Sequence, residues 1–155
     1  MTGESRSVPR RLEKKMKRLL ASHREGIYTL LRVVAGVMFT THGTQKLFGA
    51  FGGVPVQAGS LAGIAGIIEL ATGPLIALGL LTRVLAFLAS GEMAVAFFVA
   101  HAPKGPWPIE NGGELAVIYA FVFLYVAARG AGAFSLDAIL SQGRSDGFRL
   151  KPWPI

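Results

Sequence analysis

The sequence predicts an all-α fold: an integral membrane four-helix bundle with both termini cytoplasmic. Three observations carry this expectation. Hydrophobic residues make up 52% of the 155 and charged residues only 16%, with mean hydropathy +0.49; soluble domains hold ~25% charged residues. Four apolar segments follow one another, at about 26–47, 59–81, 82–102 and 113–128, each near the ~20 residues that cross a ~30 Å hydrocarbon core. The cations gather at one set of segment ends.

The chain divides into a basic arm (1–25), a transmembrane domain (26–140) and a cytoplasmic tail (141–155). The arm holds Arg6, Arg10, Arg11, Lys14, Lys15, Lys17, Arg18 and Arg24, half of the 16 cations. Leu12, Met16, Leu19 and Leu20 recur at helical spacing beneath them. Such a segment reads either as an amphipathic membrane-surface helix or as a solvated basic arm. Leu-Glu-Lys-Lys after Arg10-Arg11, and the lack of a small-residue cleavage site behind a short apolar core, argue against an export signal.

Ala and Leu dominate the apolar segments without period-2 alternation, so helices are expected rather than strands. Backbone groups in hydrocarbon must bond within their own segment, which favours the same choice. The fourth segment is short, so its span borrows interface residues. Leu81-Thr82-Arg83 is a very short link, which makes segments two and three antiparallel neighbours. The links at 49–55 and 101–113 are rich in Gly and Pro, and Trp107 suits an interfacial belt.

Orientation follows from charge. Thirteen cations fall on the side of the arm, Arg83, Arg129 and the tail (Arg144, Arg149, Lys151); Lys46 and Lys104 fall on the other. The positive-inside rule then places both termini in the cytoplasm. Cations at membrane flanks meet anionic lipid, so membrane lipid is the expected partner and nucleic acid is not. Cysteine is absent, which excludes a disulfide scaffold, a thiol relay and Cys-ligated metal or haem. No metal site is expected.

Ionisable groups deep in a bilayer cost about 2.5–3.5 kcal/mol and usually face protein or water. Glu69 and Glu92 each lie about ten residues into their segments, ~15 Å deep. Gly59, Gly63, Gly66, Glu69 and Gly73 share one helical stripe, and such small-residue stripes let backbones approach closely. Pro74 cannot donate to the carbonyl of Leu70, which predicts a kink near Glu69. Ala89 and Ala96 flank Glu92 on its face. Two readings stand. Glu69 and Glu92 could be protonated, or paired with Arg32, Arg83 or each other, and only fix packing. Alternatively they form a polar pocket open outward, with His42, Gln45, Lys46, His101 and Glu114 at its mouth and Arg32 deeper in the first segment. Such a carboxylate pair suits the holding and exchange of a proton. His42 and His101 read more simply as interface residues than as haem or metal ligands.

The ordered strings His42-Gly-Thr-Gln45-Lys46-Leu47, Glu69-Leu-Ala-Thr-Gly73, Leu78-Gly-Leu-Leu-Thr-Arg83, Trp107-Pro108, Asn111-Gly-Gly-Glu114 and Gly130-Ala-Gly-Ala-Phe-Ser-Leu-Asp137 resemble the DoxX family of small four-helix membrane proteins. The resemblance covers about residues 27–140 and implies association with membrane oxidoreductase complexes; the family is named for a subunit of a thiosulfate–quinone oxidoreductase. Glu92 matches none of these strings. Ser135 reads separately as an N-cap, with Asp137 in the first turn of a short helix Leu136–Leu140.

The functional expectation is a membrane subunit of a quinone-linked oxidoreductase system, an inner-membrane multi-pass protein binding a quinone or similar apolar ligand. Glu69 and His42 are the candidate catalytic residues, and Gln45, Lys46, Glu92, His101, Glu114 and Arg32 the candidate ligand-binding residues. With no nucleotide motif in the chain, electrons come from a soluble or membrane oxidoreductase partner. A homo-oligomer is expected. The alternatives are a proton-coupled small-molecule carrier and a non-catalytic anchor that recruits a soluble redox enzyme through the basic arm.

Overall fold

A computed structural model describes residues 10–146. The outer parts of the expected arm and tail, with Arg6, Arg149 and Lys151, lie outside the described residues. Those described form six α-helices and no strand.

Helix α1 (Arg10–Phe48) is a single helix of 39 residues. It joins the inner part of the expected arm and the whole first apolar segment without a break. Leu12, Met16, Leu19 and Leu20 form an exposed stripe on its first turns. After a 3-10 turn at Ala50–Gly52, α2 (Leu61–Leu78) begins at an N-cap: the Gly63 N–H donates to Ser60 Oγ at 3.1 Å. It runs through Pro74 and ends at Gly79, whose φ of 75° suits a left-handed C-cap. Helix α3 (Thr82–Ala96) widens into a π-turn at Phe97–His101 and then a 3-10 turn at Ala102–Lys104. Short α4 (Pro108–Asn111) precedes α5 (Glu114–Arg129) and α6 (Leu136–Asp146).

Residue pairing gives the packing. Gly36 of α1 meets Gly73 and Ala77 of α2, Gly43 meets Leu70 and Gly66, and Lys46 meets Glu69. Rising numbers on α1 match falling numbers on α2, so the two are antiparallel. Arg83 reaches Ala127–Arg129 and Ser90 reaches Ala120, which makes α3 and α5 antiparallel too. Tyr28 meets Tyr125, and Phe39 meets Tyr119 and Phe123, which closes α5 against α1.

The α1–α2 contact explains the glycine stripe. A Cβ at Gly43 would sit 2.5 Å from the Leu70 backbone nitrogen, and one at Gly36 would sit 2.6 Å from the Gly73 carbonyl oxygen. Gly66, Glu69 and Gly73 are buried on this face as the stripe predicts, while Gly63 is buried against the link at Gln57 and Ala58 and Gly59 has open space around it. Small residues let the two backbones approach where larger side chains would separate them.

The core is thin: Phe39, Ile76, Ala86, Ala89, Phe123 and Val126 are fully buried. Outside it lies a belt of exposed apolar side chains, with Val84, Phe87, Phe98 and Phe121 each 68–71% exposed. A water-soluble monomer rarely shows so large an apolar surface. Leu61–Leu78 and Thr82–Lys104 are long and apolar enough to cross a membrane. Helix α5, at 16 residues, is short, as its segment already was in the sequence.

At the α2–α3 corner the helix ends are capped by side chains from elsewhere. Buried Arg32 donates to the carbonyls of Ile76 (2.7 Å), Ala77 (2.9 Å) and Phe134 (2.7 Å), closing the C-terminus of α2. Arg83 donates to Ala127, Ala128 and Arg129 carbonyls at 2.7–3.2 Å, closing α5. Asp137 accepts from the Leu81 and Thr82 N–H groups at 2.9 and 3.0 Å, closing the N-terminus of α3. Cations at two C-termini and an acid at an N-terminus each complement the local helix dipole. Leu81, at φ 51°, holds a left-handed conformation there without glycine. Ser135 caps α6 as expected, its Oγ accepting from Ala138 N–H at 3.2 Å; the helix runs on to Asp146, six residues past the Leu140 expected.

Candidate functional site

The candidate site lies at the other end of the α1–α2 contact. Glu69 is 1% exposed. It sits on the glycine face of α2, which packs closely on α1. The cation beside it is Lys46, whose Nζ donates to Glu69 Oε1 at 2.6 Å. This differs from the partners the sequence suggested, Arg32, Arg83 or the other acid. Both arginines are held at the α2–α3 corner on helix carbonyls. Lys46 lies one turn beyond His42 on α1, opposite Glu69, and its long aliphatic stem brings the ammonium inward. Its side chain is still 30% exposed, so the pair has an edge toward the surface.

Three more groups face this pair. Glu92 on α3 lies within electrostatic range of Glu69 and Lys46, and neither of its carboxylate oxygens, both buried, has a hydrogen-bond partner. Tyr119 on α5 is 5% exposed, its hydroxyl also lacks a partner, and Glu69 acts on it electrostatically. His42 packs edge-on to the Tyr119 ring at 6.0 Å and feels the charge of Lys46. The second oxygen of Glu69 is likewise buried and unpartnered. Buried polar atoms are bonded in the great majority of cases, so four such atoms together mark a place with unmet hydrogen-bonding capacity. Aromatic rings wall it: Tyr119 stacks on Phe123 at 5.5 Å and Phe39 meets Phe123 at 4.7 Å.

The structure thus gathers Glu69, Lys46, Glu92 and His42. Gln45 is adjacent, packed against Gly53, where a Cβ would collide with its Cγ. The other candidates lie elsewhere. Arg32 caps α2. His101 stacks on Phe97, with Nδ1 3.2 Å from the Asn111 carbonyl oxygen, so it steadies the α3–α5 link. Asn111 completes that link by bonding Gly105 and Gly113. Glu114 is exposed at the first turn of α5, a favoured place for an acid. Tyr119 escaped the sequence reading; a tyrosine inside an apolar segment, with a hydroxyl needing a partner, is the signal that points to it. Two clefts lie near the start of α3 and the end of α5, lined by residues such as Arg83, Arg129 and Asp137.

Described residues that form helices and no strand, with an apolar girdle around a buried polar cluster, have the build of a membrane protein. The DoxX family profile matches residues 27–102. An uncharacterized protein of Haemophilus influenzae is 42% identical over 125 residues, covering 76% of this chain and 93% of its own. The chain belongs to the DoxX family. No solved structure matches it.

Proposed function

We propose that the chain is a multi-pass four-helix bundle of a bacterial or archaeal inner membrane, both termini cytoplasmic, serving as a membrane subunit of a quinone-linked oxidoreductase system. The antiparallel packing of α1, α2, α3 and α5 and the cation asymmetry support this topology. The observation that carries the function is the Lys46–Glu69 pair with Glu92 and Tyr119 beside it, where Glu69 Oε2, both Glu92 oxygens and the Tyr119 hydroxyl are buried without a hydrogen-bond partner.

These residues fit a quinone head group. It would bring two carbonyl acceptors and a flat ring, and the site offers an ammonium, a hydroxyl and stacked aromatics. A bound quinone supplies two-electron, two-proton redox chemistry. Lys46 Nζ and the Tyr119 hydroxyl orient it by donating hydrogen bonds, and His42 sets the tilt of the Tyr119 ring. Glu69 and Glu92 hold or release protons at their carboxylates. Phe39 and Phe123 exclude water. Electrons enter from an oxidoreductase partner.

The test is titration of the purified full chain with a menaquinone analogue. Binding that weakens about tenfold in Glu69→Gln supports the proposal, since one charge-assisted contact is worth ~1.4 kcal/mol or more. No binding, or binding indifferent to that change, overturns it. Two acids in one interior also suit a proton-coupled carrier. Flux into proteoliposomes that follows a pH gradient favours that second reading.

A further inference from the structure

Two clefts meet at the α2–α3 corner. One, of about 470 Å³, is lined by Arg83, Arg129, Gly130 and Asp137 among others. The other, of about 440 Å³, is an apolar groove between α3 and α5 that includes Phe87, Leu124 and Ala127. Arg83 and Val84 line both, so the groove leads directly to the charged cleft.

Arg83 has charge and donors to offer. A guanidinium carries five N–H groups. Three are engaged, two from Nη1 and one from Nη2, all on neutral carbonyls. The remaining two, on Nε and Nη2, form the side-on fork that matches two phosphate oxygens. Gly130 packs over the same guanidinium: a Cβ there would lie 3.0 Å from Nε and Nη2 and 3.1 Å from Cζ, so a side chain at this position would crowd Arg83 in the cleft. Its acceptors are neutral, and among the described residues Arg83 has no ion-pair partner. Arg129, by contrast, is paired with Glu25 at 2.6 Å, and Asp137 is engaged with the first N–H groups of α3.

We infer that this corner binds an anionic phospholipid, with its phosphate on the Nε/Nη2 edge of Arg83 and one acyl chain along the groove between α3 and α5. The groove matches the apolar tail and the fork matches the charged head, in the order that a lipid standing in one leaflet requires. Val84 and Phe87 are 71% and 68% exposed, as side chains that contact acyl chains are. The inference rests on the membrane-spanning reading but not on quinone binding. Arg83 lies nine residues from Glu92, ~14 Å along α3 at 1.5 Å per residue.

The test is native mass spectrometry of the full chain released from bilayer discs of equal phosphatidylglycerol and phosphatidylcholine. Wild type retains phosphatidylglycerol about tenfold over phosphatidylcholine, the worth of one bidentate charged contact. Arg83→Gln brings the two to parity. Leu124→Trp fills the groove with Arg83 intact and lowers retention of both lipids, so it carries the test should Arg83→Gln fail to fold. Equal retention by wild type, or a preference that survives Arg83→Gln, overturns the inference. Retention unchanged in Leu124→Trp, with inorganic phosphate displacing the lipid, marks a site for free anions and overturns the lipid assignment. Arg83→Gln leaves menaquinone-analogue binding unchanged, so loss of one binding event does not imply loss of the other.

Discussion

Arg32 and Glu69 are both 1% exposed, yet their surroundings differ. Arg32 gives three hydrogen bonds to carbonyls that a helix end would otherwise leave bare, and only its Nε lacks a partner. Glu69 has one cation on one oxygen and nothing on the other, with a partnerless acid and hydroxyl nearby. The first arrangement is what stability selects: buried polar groups matched one to another. The second carries unmet capacity, which a packed interior tolerates where a ligand completes it. The difference separates a matched network that holds the helices from an unmatched cluster, the site proposed for ligand binding.

Mutations at the two places should therefore behave oppositely. The largest effect is expected for Arg32→Met, which strands one buried and two part-buried carbonyls and lowers stability by about 3 kcal/mol or more; thermal unfolding of the detergent-solubilised chain reads it. Lys46→Met leaves Glu69 buried without its cation and costs about 3 kcal/mol. The double change Lys46→Met with Glu69→Leu should recover most of that loss while binding no quinone analogue. A double mutant as unstable as the single one would show the pair to be a structural strut.

Asp137→Asn is smaller, about 1 kcal/mol, the worth of a helix cap. Burial alone would push the Asp137 carboxyl up, but the N–H groups of Thr82 and Leu81 and the charge of Arg32 hold it below the usual carboxylate range. A depressed acid contributes stability above its unfolded pKa, ~3.9, and loses it as pH falls through the lower folded value. The gap between wild type and Asp137→Asn should be full at neutral pH and close on acidification below that range. The smallest effect is at Glu92. Glu92→Leu removes a carboxylate with no partner, so it should leave unfolding unchanged or raise the midpoint, while weakening quinone-analogue binding. A clear loss of stability there would break the contrast between the two regions.

The sequence revealed the helices through their apolar runs and revealed Glu69 through its glycine stripe, because both follow from a 3.6-residue period. It also placed the Ser135 cap, whose partner is three residues away. It missed what depends on contacts far along the chain. Lys46 meets Glu69 across 23 positions, and Arg32 meets Phe134 across 102, so no local pattern distinguishes a cation that pairs with an acid from a capping one. His101 and Glu114 were grouped with the site because they fall at the same depth, but depth does not fix the direction of a side chain. The π-turn at Phe97–His101 left no sign in the residue pattern, and it turns His101 onto Phe97. From Arg10 on, the expected arm and the first segment are one helix because no Gly-Pro break separates them: Gly26 stands alone and is tolerated.

That continuity has a mechanical meaning. At 1.5 Å per residue, 39 residues make a rod of ~58 Å, nearly twice the ~30 Å of a hydrocarbon layer. Its cationic stub and Lys46 are therefore fixed on one shaft, and whatever grips the stub has leverage on the ammonium that faces Glu69.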